Sequence, residues 1–345
     1  MRATKLVVML LLVGLTTPAF GGPKDKGAPR ALSPLSGDDD SYATDINNRG
    51  DVTGRSVGEF ITAMLWDKKG NATMLMALPG GHSSTGEAIN SRGEVVGISR
   101  SDEGPCGFKD SAVVWNRHGA ARTLMPLPGE EEARGYGINK KGVTTGISIG
   151  ERRVDCTAPF TAVIWDRHGN PTPLTSPSAV LDETFGYDIN NKGVVAGFNN
   201  TFDGSAFNAT VWDRQGVPTN LPTLTGGSLE LATGLNKKGE VVGTDFISFS
   251  GLVWDKRGNP TALAPFGTDS YSTAVDINDR GKIVGSSLSA AFDETAVIWD
   301  KRGVPTALPP LDGYDNSSGL GINDRGHAVG TSYNFGGATT AVVWR

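Results

Sequence analysis

Apolar and polar residues alternate in short runs along this chain, and Asn/Asp-x-x-Gly turns cut the runs at fixed places. Residues 184–224 show the unit. An alternating run from Thr184 to Asn190 meets the turn Asn191-Lys192-Gly193, and a run from Val194 to Phe198 leads into a variable loop. A third run, Asn208 to Trp212, then meets the turn Asp213-Arg214-Gln215-Gly216 before a last run to Leu224. Period-two patterns bounded by turn residues predict strands, here four per unit with two tight turns and one looser loop.

The unit recurs seven times. Seven tryptophans, Trp66, Trp115, Trp165, Trp212, Trp254, Trp299 and Trp344, end the third run of each copy. Asn47, Asn90, Asn139, Asn190, Asn236, Asn278 and Asn323 end the first run, and a Gly follows each Asn after seven residues. The spacing of roughly 42–51 residues fits blades of four strands rather than helical repeats. In both tight turns Asn or Asp bonds its own backbone two residues on, and the Gly takes the left-handed conformation. Four residues before each Asn stands only Ala or Gly, which lets seven inner strands crowd around an axis, while Trp fills the wider space between sheets further out.

The chain stops at Trp344-Arg345, after a third strand, and its missing fourth strand has a match at the other end. Gly27 to Gly37 aligns without a gap with Gly303 to Gly313. Pairing this displaced segment beside the Trp344 strand closes a ring and removes open sheet edges. The fold expected is all-β: a closed seven-bladed β-propeller over residues 27–345, with the N-terminal strand completing the last blade.

These repeats resemble the HAF family of extracellular repeats, whose units join a Gly-Ile-Asn-x-x-Gly-x-Val-Val-Gly segment to a His-Ala-Phe-x-Trp segment. The first motif appears as Gly137-Ile138-Asn139, Asp188-Ile189-Asn190 and Gly321-Ile322-Asn323, with counterparts in all seven units. The second keeps Ala63, Ala112, Ala162, Ala209, Ala296 and Ala341, with Gly251 in the other unit. The family's His is replaced by Thr62, Ser111, Thr161, Asn208, Ser250, Thr295 and Thr340. The resemblance implies repeat architecture and export, and assigns no activity.

Export is also read from residues 1–21, where Arg2 and Lys5 precede the apolar run Leu6 to Leu15 and small residues near Ala19, the layout of a signal peptide. A short linker, 22–26, follows. No segment approaches the roughly 20 apolar residues a membrane span needs. Taking Arg2 and Lys5 from the 32 basic residues leaves 30 against 37 acidic ones, a balance near −7. That excludes sequence-independent nucleic-acid binding, which needs clustered positive potential.

Charge is segregated by position. The tight turns hold about eighteen of the 32 Lys and Arg residues, and the opposite loops most carboxylates. The expected contact surface is this acidic loop face, with candidates Asp38, Asp39, Asp40, Tyr42, Asp102, Glu103, Glu130, Glu131, Glu132, Asp182 and Glu183. Its ligand is read as Ca²⁺, a glycan or a protein partner, with no cofactor and a monomeric, secreted, non-catalytic binding module. The alternatives are a polysaccharide hydrolase or lyase using pairs such as Asp182/Glu183 or Asp102/Glu103, and a structural surface component. Gly54-Arg55-Ser56-Val57-Gly58 is not a nucleophile elbow, because no helix follows. Asp45, Asp188 and Asp276 replace Ala or Gly near the axis and are the one polar group there that breaks the repeat. Cys106 and Cys156 each stand nine residues before a Trp in adjacent units, which predicts a disulfide.

Overall fold

The computed structural model describes residues 28–103, 106–153, 155–177, 183–201 and 206–345. The expected signal peptide and linker lie outside them. The described residues form seven antiparallel four-stranded sheets, blades 1 to 6 in chain order and blade 7 made from the last three strands plus Arg30–Leu32. Arg30, Ala31 and Leu32 pair with Val343, Val342 and Ala341, so the ring closes with the chain's two ends in one sheet. No helix among the described residues is long and apolar enough to cross a membrane.

The innermost strands touch one another in sequence around the axis. Each carries a bulge at the same place, so that one residue (Thr44, Glu87, Tyr136, Tyr187, Thr233, Val275 or Leu320) has no partner in the neighbouring strand. The bulge explains the Gly seven residues past each Asn. A Cβ on Gly54, Gly97, Gly146, Gly197, Gly243, Gly285 or Gly330 would lie 1.7–2.0 Å from a first-strand carbonyl oxygen. No side chain fits there.

The seven Asn side chains form a closed ring. Each amide Nδ2 donates to the carbonyl of the next Asn, from Asn47 to Asn90 (3.1 Å) around to Asn323, which donates to Asn47 (3.0 Å). Each Oδ1 meanwhile accepts two backbone N–H groups of its own turn, as at Arg49 and Asp51. One residue therefore shapes its turn and joins its blade to the next.

All seven Trp side chains are buried, each among residues of its own and the preceding blade: Trp66 packs with Leu32, Val329 and Val343. Each indole N–H also donates to a carbonyl just past the preceding blade's fourth strand, over 2.5–3.0 Å. Burying seven such rings supplies much of the inter-blade adhesion, at about 25 cal/mol per Å² of apolar surface.

Gly197→Ala places a methyl group 1.8 Å from the Phe185 carbonyl oxygen, so the bulge must shift. We expect a loss of ~2–4 kcal/mol in urea unfolding, and a loss below ~0.5 kcal/mol would refute this account of the repeated Gly.

Candidate functional site

The ring leaves four places where side chains depart from the repeat. Three lie on the axis or the loop face, where second and third strands are joined.

On the axis, Asp45, Asp188 and Asp276 each bridge two blades. Asp45 accepts the N–H of Ile46 (2.6 Å) and of Ile89 in the next blade (2.8 Å). Asp188 does the same with Ile189 and Leu235, and Asp276 with Ile277 and Ile322. The three are half-buried, and their charges act on one another. Burial raises each carboxyl, backbone N–H bonds oppose the rise, and the charge of Asp45 adds to it for Asp188 and Asp276, with Asp188 reaching about 6.

Over blades 2 and 3 an ion-pair network sits beside the predicted disulfide. Cys106 and Cys156 are bonded, Cα to Cα 5.8 Å. Asp110, fully buried, takes a fork from Arg100 (2.7 and 2.9 Å) and a third bond from Arg134 (2.7 Å). Burial alone would raise this carboxyl, but the two guanidinium groups hold it below its ordinary value. Glu132 takes a second fork, from Arg152 (2.5 and 2.9 Å), and accepts the Asp110 N–H. Arg100 and Arg152 both lie 4.6 Å from the Phe108 ring.

These contacts redistribute the expected acidic surface. Glu132 is an internal ion-pair partner. Asp38 accepts from Ser56, and Asp40 caps the Thr339 N–H of blade 7. Glu183 is buried against Asn200, and Tyr42 lies under Arg55 (4.4 Å). Glu130 is half-buried. Asp39, Asp102, Glu103 and Glu131 are exposed, with Asp102 3.3 Å from His82 and Glu131 3.2 Å from Lys109. Asp182 lies outside the described residues. Among the described residues no three His, Cys, Asp or Glu side chains converge as metal ligands. Ser56 is buried and donates to Asp38.

The third departure is aromatic. The loop-face hairpin Ser289 to Asp293 is built like the tight turns: Phe292 N–H bonds the Ser289 carbonyl, and the Ser289 hydroxyl accepts from Ala291 and Asp293. The residue equivalent to the turn Gly is Phe292, at φ 66°. Blade 5 holds Phe249 at φ 51° in its corresponding loop. The one other described non-Gly residue at positive φ is Cys156, φ 65°, in the disulfide. Phe249 and Phe292 are 46% and 41% exposed and flank Tyr271, with ring centroids 5.5 and 5.8 Å away. A left-handed Phe costs about 1 kcal/mol or more, which marks both as departures from easy folding. Neither Phe gives a signal in the sequence, because a turn without Gly at this place reads as an irregular loop.

No protein-family model matches the sequence, and neither does any curated protein. Among solved structures the chain is similar to streptogramin B lyase, at TM-score 0.59 and 10% identity over 92% of this chain and 98% of that one. It is also similar to a prolyl endopeptidase, at TM-score 0.61 and 11% identity over 88% of this chain but 48% of that protein. A third likeness, at 0.54 and 12% over 89% and 94%, is to the β-propeller domain of a Trilobed protease from Pyrococcus furiosus, described as having an open velcro topology. At these identities the likeness establishes the propeller fold alone. In this chain the ring is closed by the N-terminal strand.

The raised axial carboxyls set a pH dependence. A folded-state value of about 6 for Asp188, above the ordinary 3.8, means its contribution to stability is full below pH ~4 and is lost as pH rises through about 6. Asp188→Asn cannot ionise. The melting temperature of wild type minus that of the variant is therefore expected to fall between pH ~4 and ~7, and a flat difference would show that the carboxyl is not raised.

Proposed function

We propose that this protein is an exported, HAF-type binding module that recognises carbohydrate through aromatic rings on its loop face. The observation that carries this reading is the pair Phe249 and Phe292, held at positive φ and exposed on either side of Tyr271. Pyranose rings present flat C–H faces that pack on aromatic side chains, and their hydroxyls require polar neighbours. Asp293 follows Phe292 directly, and Ser270 precedes Tyr271. The platform stands on the rigid ends of two adjacent blades, so little ordering is left for binding to impose.

The leader-like N-terminus and the disulfide support export into an oxidising compartment. The disulfide and the Arg100, Asp110, Glu132 and Arg152 pairs brace the loops of blades 2 and 3. A binding function is favoured over hydrolysis because Asp38, Asp40, Glu132 and Glu183 are engaged in fixed pairs or turn caps, leaving Asp39, Asp102, Glu103 and Glu131 as the exposed candidates of this face.

Titration against a panel of neutral and acidic oligosaccharides tests the reading, with Phe292→Gly and Phe292→Ala as paired variants. Both are expected to weaken the best glycan at least tenfold, while Phe292→Gly is more stable than Phe292→Ala by ~1 kcal/mol because Gly relieves the left-handed backbone. Unchanged affinity in both variants, or no glycan binding by wild type, would sink it.

A further inference from the structure

The fourth departure from the repeat lies on the opposite face, between the tight turns of blades 2 and 3, and it goes beyond the glycan reading. In five blades the middle of the short outer strand is Thr: Thr73, Thr172, Thr219, Thr261 and Thr306. Arg30 and Arg122 take that phase in blades 7 and 2. Each buries one donor without an acceptor, Nε in Arg30 and Nη1 in Arg122, but their other surroundings differ. Arg30 reaches the next blade's turn and donates to the Lys69 carbonyl at 2.8 Å and, more weakly, to that of Lys68 at 3.4 Å. Arg122 reaches the equivalent turn, close to Gly169, and its Nη1 is buried without an acceptor.

Arg122 opens into a groove of about 400 Å³ that Arg92, Lys141 and Arg167 also line. Glu94 is the single carboxylate among the lining residues, and it is already engaged by Arg92 and by the Asn90 amide (2.6 Å). Arg167 donates to the His168 ring nitrogen at 3.1 Å rather than to a carboxylate. Four cations against one carboxylate, with one buried donor unsatisfied, is an arrangement that a ligand of opposite sign completes.

We propose that this groove binds a tetrahedral oxyanion, the sulfate or phosphate group of an anionic ligand. Guanidinium forks match such groups in geometry as well as charge.

Isothermal titration with pyrophosphate and with a sulfated disaccharide at matched ionic strength tests the proposal. Arg122→Thr serves as the variant, because Thr is the residue the repeat itself carries at this place and the blade should fold. One-to-one binding of at least one anion is expected, weakened tenfold or more in Arg122→Thr and unchanged in Phe292→Gly. Preference for pyrophosphate would identify a phosphorylated ligand, preference for the disaccharide a sulfated one, and equal binding a site reading only the oxyanion. No binding of either anion, or binding that Arg122→Thr leaves intact, would overturn the proposal; disaccharide binding abolished by Phe292→Gly but not by Arg122→Thr would belong to the glycan platform instead.

Discussion

The ring of seven asparagine amides is the constraint on which the rest of this propeller depends. Each buried amide donates to the next Asn carbonyl while its oxygen holds its own turn. Each such bond contributes about 1 kcal/mol net, but its larger effect is geometric. The ring fixes how far the seven first strands stand from the axis. At that radius their bulges bring carbonyls against the second strands, so Gly is obligatory there, and the sheets diverge outward into wedges that only a side chain as large as Trp fills.

The same crowding governs where the repeat is allowed to vary. Gly137, Gly234 and Gly321 each stand one blade ahead of an axial Asp, and a Cβ on any of them would come within 2.9–3.1 Å of the Cα of Asp188, Asp276 or Asp45. The close approach is to backbone, so a Gly stands before each axial Asp, and seven blades hold three such pairs with Ala88 left over. These carboxylates then act as inter-blade bridges, which is why they tolerate partial burial and mutual repulsion.

The architecture was legible because it is written in phase: Trp, Asn and Gly at fixed offsets, a displaced fourth strand, and two Cys at matching positions in adjacent units. Direction was not legible. Nothing in the spacing of Asn47 distinguishes an amide that only caps its turn from one that also reaches the next blade, and nothing in Trp66 announces its bond to the Ser33 carbonyl. Charge shows the limit most clearly. Counting carboxylates along the loops gave an acidic face, but Glu132 and Asp110 are forked by Arg152 and Arg100, and Arg100 and Arg134 come from strand positions that a count of loop residues omits.

A repeat of this kind separates what folds the chain from what distinguishes one copy from another. Residues shared by all seven units satisfy the ring, so chemistry specific to this protein has to reside where a unit departs from its siblings at some local expense. Cys156, Phe249 and Phe292 accept a left-handed backbone, and Arg122 buries a donor. For Cys156 the return is visible as a disulfide. The Phe pair and Arg122 carry similar local penalties with no such return inside the fold. Because the ring holds the blades rigidly, a penalty at one loop does not spread to its neighbours. That isolation lets the two faces hold independent surfaces, aromatic on one side and cationic on the other.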